Sequence, residues 1–371
     1  MAFLRTLLTR VATAAALGHA ALLSLPAHAA PAQLVTLVVP AAPGGSNDIV
    51  ARVMEPLLRG ELDRPVVVEN RGGGGGNVGA AYVARAEAGS NIWLLTSASI
   101  VTMNPGLFAN PGFDTLRDFV PAAGTSLIDW QLIPDRESFF VNGLAVAFLL
   151  GNEPGGKAVT LRDSVPGAGI ASVPHVLLVN KDFAPSTLPE LLALLRREPG
   201  RYFFGSAGNG TYSHILMEFL KRAEKVDASH VPFRGVAPAM TELMAGRIQM
   251  LISTLPSAMP YLQSRDVKAL AVFSDQRSEF LPDLPLARDT VAGLVGGLGI
   301  ALYAPKDTPS QEVQRMRQAV DKAQASPGLR EKFRKMGASV YAPTAAELRL
   351  QTAADLARWS QLIRQAGIQV D

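Results

Sequence analysis

Two glycine-rich stretches hold the residues best suited to binding chemistry. Residues 40–48 read Pro-Ala-Ala-Pro-Gly-Gly-Ser-Asn-Asp and residues 205–211 read Gly-Ser-Ala-Gly-Asn-Gly-Thr; each follows a short apolar run and opens an amphipathic one. Glycine lets backbone approach a bound molecule with no Cβ in the way, and Ser46, Asn47 or Asp48 can cap the helix that follows. Backbone N–H groups free at a helix start, reinforced by about half a positive charge from the helix dipole, favour an anion. Two readings stand for either stretch alone: an anion cradle, or a capped turn with no ligand. Having both, far apart in sequence, favours one shared cleft.

Other chemistry finds less support. Residues 74–79 satisfy the dinucleotide pattern G-x-G-x-x-G, but an unbroken glycine run does so easily, and no Asp or Glu occurs between Glu87 and Asp114 to hold a ribose. No glycine loop is closed by Lys and then Ser or Thr, so the phosphate-loop pattern fails as well. There is no G-x-S-x-G, and outside residues 1–29 only His175, His214 and His230 are available as bases. His214 falls in the first turn after the second glycine stretch, where it touches a bound anion or merely packs and bonds nearby backbone. With no cysteine, three scattered histidines and no H-E-x-x-H, neither metal nor cofactor is expected.

The elements that must position these loops follow from hydrophobic spacing. Residues 34–39 predict a buried strand and 47–62 a helix, with Pro56 predicting a break near Glu55. Strand 64–69 then closes a βαβ unit. A helix over 80–88 leads to strand 93–96, whose end, Ser97-Ala98-Ser99, should share a sheet edge with the first glycine stretch. Residues 104–120 read as loop and 122–128 as a short strand. Residues 129–171 are a separate excursion, an insertion. Strand 176–179, helix 188–197, strand 202–204 and helix 213–224 bring the chain through the second glycine stretch. Strands over 228–233, 248–252, 267–274 and 298–304 and helices over 237–245, 309–325, 328–336 and 345–366 complete it.

Residues 1–29 carry Arg5 and Arg10, an apolar run and Ala27-His28-Ala29, the pattern of a secretory signal peptide cleaved near Ala29. Removing them lowers the formal charge from +3 to about +1, which gives no electrostatic case for nucleic acid or membrane. The absence of cysteine excludes disulfides and a lipid-modified cysteine anchor. About 340 remaining residues suggest two domains.

The chain resembles the Bug family of periplasmic solute-binding proteins, receptors of tripartite tricarboxylate transporters. The resemblance rests on residues 42–48, on 66–71 with the glycine run and Gly79-Ala80, on Asn104-Pro105 and on 205–211 with His214. Further support comes from 231–235, 255–258 and the closing stretch 364–368. It implies an α/β, two-lobed, flytrap-like periplasmic binding protein with a ligand cleft between the lobes. Lobe 1 would comprise residues 30–128 and 298–371, lobe 2 residues 172–297, with 129–171 inserted near the hinge. The implied ligand is a small organic carboxylate, clamped without cofactor, metal or catalysis and delivered by a monomeric receptor to membrane transporter subunits. Backbone N–H groups, Ser46, Asn47, Asn209 and Thr211 would serve as donors. The full candidate set is Ala42, Gly44, Gly45, Ser46, Asn47, Asp48, Ser97, Ser206, Ala207, Gly208, Asn209, Thr211, His214 and Ser253. Ser253 stands where the family often has an aspartate, which argues against an amino-acid ligand. An exported hydrolase-like enzyme and a sensory partner of a membrane kinase are the alternatives.

Overall fold

The first glycine stretch is held by a parallel βαβ unit. In the computed structural model, which describes residues 34–121, 168–274, 277–292, 294, 296–366 and 370, β1 (Val35–Val39) leads through α1 (Ser46–Leu62) to β2 (Val66–Asn70). β1 and β2 pair in parallel with Val35 opposite Val66, and β3 (Ile92–Ser97) pairs in parallel on the other side of β1. Between β2 and β3 lies α2 (Asn77–Ala84), which starts and ends earlier than hydrophobic spacing predicts.

α1 runs unbroken through Pro56, contrary to the expected break. Val50, Ala51, Met54, Leu58 and Leu62 fill its buried face, whereas Pro56 lies on the exposed one. There the carbonyl that proline leaves without a partner can bond water, and packing of the opposite face holds the helix together. Residues 104–120 are likewise not plain loop. After α3 (Ala98–Thr102) they form α4 (Asn104–Leu107) and α5 (Thr115–Asp118), followed by β4 (Phe119–Pro121). Asp114 caps α5 by accepting the N–H groups of Leu116 and Arg117 at 3.1 and 3.0 Å. The expected strand over 122–128 and residues 129–167 of the expected insertion lie outside the described residues.

The last residues of that expected insertion belong to the central strand, β5 (Ala168–Asn180). Pro174 divides it by partner: up to Pro174 it pairs antiparallel with β10 (Gly297–Pro305), and from His175 on with β8 (Met250–Thr254) and β9 (Val267–Phe273). A proline donates no ladder hydrogen bond, so a change of partners is a natural place for one. Beyond it the strand is buried on both faces. Leu177 and Val179 join one apolar cluster and Val176 and Leu178 another, which is why four consecutive apolar residues occur there.

β5 leads through α6 (Leu188–Arg197) to β6 (Phe203–Ser206), and α7 (Tyr212–Glu224) to β7 (Ser229–Pro232). α8 (Val236–Met244) precedes β8, and α9 (Leu255–Gln263) joins β8 to β9. The strand order is β2-β1-β3-β10-β5-β8-β6-β7. β9 and the two-residue β11 (Ser339–Val340) lie beside β5, and β4 lies beside β10. α10 (Ser310–Ala325), α11 (Pro327–Lys335) and α12 (Ala345–Ala366) complete the chain.

Candidate functional site

Each glycine stretch leaves the carboxyl end of a parallel strand, β1 or β6, and enters a helix, so both strand ends deliver backbone amides to one place. Between them lies a cleft of about 820 Å³. Residues of the first stretch (Ala42, Gly45, Ser46 and Asn47) and of the second (Ala207, Gly208, Asn209 and Thr211) line it, with Ser97 and Ser253. Gly44, Asp48, Ser206 and His214, also expected to touch ligand, stand behind this lining.

Those four build the loops. In the first, Gly45 is the N-cap of α1 and no side chain caps it, contrary to the expectation for Ser46, Asn47 or Asp48. Asp48 instead reaches back from the first turn. Its Oδ2 accepts the Gly44 N–H at 2.9 Å and Arg52 Nε at 3.1 Å, while its Oδ1 accepts Asn70 Nδ2 at 3.0 Å. Asn70 also donates to the Ala41 carbonyl at 3.1 Å. Burial opposes ionisation of Asp48, but hydrogen bonds from Arg52, Gly44 and Asn70 outweigh it and hold the carboxyl below its usual range. Gly44 has φ +84°, a value glycine adopts at little cost. The first helical bond is Ile49 N–H to Gly45 O, so the amides of residues 46–48 have no intrahelical acceptor. Asn47 is 6 % exposed, and its side-chain oxygen has no hydrogen-bond partner among the described residues.

The second loop is tied by hydroxyls and imidazoles. Ser206, fully buried, accepts the Gly208 N–H at 3.1 Å and lies 2.7 Å from His230 Nε2. Thr211 Oγ1 donates to the Gly208 carbonyl at 2.7 Å, and Ser213 Oγ accepts the Ala207 N–H at 3.2 Å. His214 Nδ1 accepts the Gly210 N–H at 3.2 Å, and its ring stacks on His230 with centroids 3.9 Å apart. Thus His214 takes the backbone-bonding role of the two that its position allowed. The Ser206–His230 pair has the form of a nucleophile and base. However, Ser206 is closed from solvent, and burial, aided by the charges of His214 and Lys221, pushes His230 down to about 3. An imidazole so reluctant to take a proton is a poor general base at neutral pH.

Sequence reasoning missed several lining groups. Asn104 donates to the Gly75 carbonyl at 3.1 Å and to Asn77 Oδ1 at 2.6 Å, fixing the glycine run as one wall. That wall closes against the second loop: a Cβ on Gly75 would lie 3.0 Å from the Asn209 carbonyl. Ser257 Oγ approaches the carbonyl of Gly44 at 3.4 Å, so α9 also reaches the first loop. His175, from β5, lies beside Tyr212 with ring centroids 4.7 Å apart. No aspartate or glutamate lines the cleft among the described residues, and Arg234 is the one lining residue with a permanent charge. Such a surface suits an anion and gives an ammonium group no counter-charge. No group of residues capable of holding a metal occurs among the described residues.

Residues 159–368 match the family model described as "Tripartite tricarboxylate transporter family receptor". Protein BugT of Bordetella pertussis is 27% identical over 338 residues, covering 91% of this chain and 90% of that one. The solved periplasmic binding protein BugD has a TM-score of 0.76 at 27% identity, with 92% of this chain and 100% of BugD covered. Two Rhodopseudomonas palustris structures are also similar. One, with adipate, has a TM-score of 0.76 at 26% identity over 91% of this chain and 98% of its own. MatC, with bound malate, has a TM-score of 0.74 at 25% identity over 90% of this chain and all of MatC.

Proposed function

Because this chain belongs to the Bug-type receptors of the tripartite tricarboxylate transporter family, we propose that it binds a small organic carboxylate between its two glycine loops and delivers it, unchanged, to the membrane subunits of such a transporter. The observation that carries this reading is the convergence of two helix N-termini, those of α1 and α7, on one cleft whose lining, among the described residues, has no acid. Carboxylate oxygens there would accept the amides of residues 46–48, which have no intrahelical acceptor, and the donors of Asn47 and Asn209. The adipate and malate held by the two Rhodopseudomonas palustris relatives support a carboxylate of a few carbons.

Charge-assisted hydrogen bonds contribute about 1.5–3 kcal/mol each. Several of them, less the cost of association, give an affinity on the order of micromolar, about 8 kcal/mol. Binding without catalysis is supported by the inaccessible Ser206 and the weakly basic His230. A periplasmic location is supported by the signal-like residues 1–29 and by the periplasmic binding protein BugD. In this reading residues 30–128 with 298–371 form one lobe and 172–297 the other, the receptor works as a monomer, and closure of the lobes reports loading. The change of β5 partners at Pro174 supports a crossing there.

Thermal-shift screening against carboxylates, followed by calorimetry, tests the proposal. A stabilising carboxylate whose affinity falls about tenfold or more in Asn47→Ala supports the clamp. If no carboxylate raises the melting temperature, or Asn47→Ala binds as the parent does, the clamp is wrong.

A further inference from the structure

Of the three histidines described, two have clear structural partners: His214 accepts the Gly210 N–H and His230 meets Ser206 Oγ. His175 differs. It is 2 % exposed and lines the cleft, and its Nδ1 has no hydrogen-bond partner among the described residues. Buried polar atoms in native proteins are normally bonded, so one left unpaired at a cleft wall marks where a bound molecule completes the bonding. The side-chain oxygen of Asn47 is a second such atom, in the first loop. As an acceptor, Asn47 Oδ1 calls for a donor such as a ligand hydroxyl, whereas His175 Nδ1 can donate to a ligand oxygen, so the two call for different polar points on one ligand.

We propose that His175 is a specificity-determining residue, through which the cleft selects a carboxylate bearing a second oxygen group, hydroxyl or carboxyl, over one with a plain alkyl tail. The proposal rests on the carboxylate reading above and deepens it. His175 is well placed for this role. It stands in register with Thr254 of β8 and Phe273 of β9, and its ring packs on Tyr212, the first residue of α7, beside the second loop. A carboxylate between the loops therefore has His175 next to one of its two cradles. Burial pushes the imidazole down to about 3, so it stays neutral and offers one donor and one acceptor. A neutral group of that kind suits either a hydroxyl or a carboxyl oxygen. An alkyl tail at the same position leaves the nitrogen unpaired, which is the strongest form of rejection a polar pocket has.

Calorimetry with butyrate, succinate and malate tests this, since succinate adds a terminal carboxylate to the butyrate skeleton and malate a further hydroxyl. The protein should bind succinate or malate about tenfold or more tightly than butyrate. In His175→Phe that ratio should fall to within about threefold, while His175→Gln, which keeps a donor and an acceptor, should retain most of it. His175→Met, also without a donor, substitutes for His175→Phe if the latter does not fold. A parent protein that does not discriminate, or discrimination that survives in both Phe and Met variants, overturns the proposal while leaving the carboxylate reading intact. Failure of the parent to bind any of the three overturns this proposal, and the carboxylate reading is then decided by the wider thermal-shift screen.

Discussion

Replacing Asp48 by alanine separates the residue that builds the first loop from the residues that hold a ligand. Asp48 is 3 % exposed and accepts from Gly44 N–H, Asn70 Nδ2 and Arg52. The Arg52 side chain is 55 % exposed, so its ion pair with Asp48 contributes about 1 kcal/mol or less. The larger effect comes from the two partly buried donors left behind, at about 1–3 kcal/mol each if nothing replaces the carboxylate. Water reaching one of them reduces the total, so Asp48→Ala should destabilise the fold by about 2–4 kcal/mol. At roughly 2 °C per kcal/mol for a chain of this size, the melting temperature falls by about 4–8 °C. The pH dependence gives a sharper signature. The carboxyl is held below its ordinary value of 3.8, so its contribution is full above that value and is lost as pH falls through the folded one. The gap between the melting curves of parent and variant should therefore stay constant above pH 3.8 and narrow below it. Asn47→Ala should do the reverse, weakening carboxylate binding with little change in melting. A melting temperature unchanged in Asp48→Ala, or a gap from the parent that widens toward pH 3, would refute this account of the loop.

Four further expectations follow from the same geometry. Gly79→Ala should unfold the chain or lower its stability by several kcal/mol, because its Cβ would lie 2.6 Å from the Arg71 carbonyl and 2.8 Å from Pro40. Gly60→Ala, in α1 with nothing within 4 Å, should instead add about 0.5–1 kcal/mol in denaturant titration. Pro56→Ala should also stabilise α1, by up to about 3 kcal/mol, since it restores a helical N–H on the solvent face; a loss of stability would mean that the proline is itself packed in place. His175 has its pKa depressed from 6.5 to about 3, so the stability it contributes as a neutral group is full above pH 6.5 and declines as pH falls toward 3. His175→Phe should flatten that decline by up to about 1.4 kcal/mol per pH unit, read from melts across the window.

Much of this organisation was legible in the chain because local chemistry and tertiary packing agree. α6 begins where Thr187 accepts the Glu190 N–H and ends in two arginines, and its expected bounds match those observed. The glycine loops were legible for a similar reason: strand, glycine-rich turn and amphipathic helix occur in immediate succession. Where signals conflict, packing overrides them. Pro256 and Pro260 hid α9, yet Pro256 sits in the first turn, where a missing N–H costs nothing, and Leu255 and Ala258 anchor the helix in the core. Gly169 and Pro174 hid the first half of β5, because its pairing with β10 depends on residues more than a hundred positions away. Candidate residues divided along a line that composition cannot draw. Asn47 and Asp48 are adjacent and both polar, but one turns to the cleft and the other to Asn70 and Arg52. His175 lay in an apolar strand with nothing to distinguish it from a core histidine until the fold placed it beside Tyr212.

The acid-free lining has a bearing on ionic strength. Fixed cations lose much of their attraction for an anion as salt rises, with a Debye length near 8 Å under physiological conditions. Here the first-turn amides are short-range dipoles, and they lie in a cleft whose lining, among the described residues, carries one permanent charge, at the exposed Arg234. An anion held in this way would dissociate at nearly the same rate in dilute and in salty surroundings. Ionic strength would change how fast the ligand arrives past Arg234 far more than how long it stays.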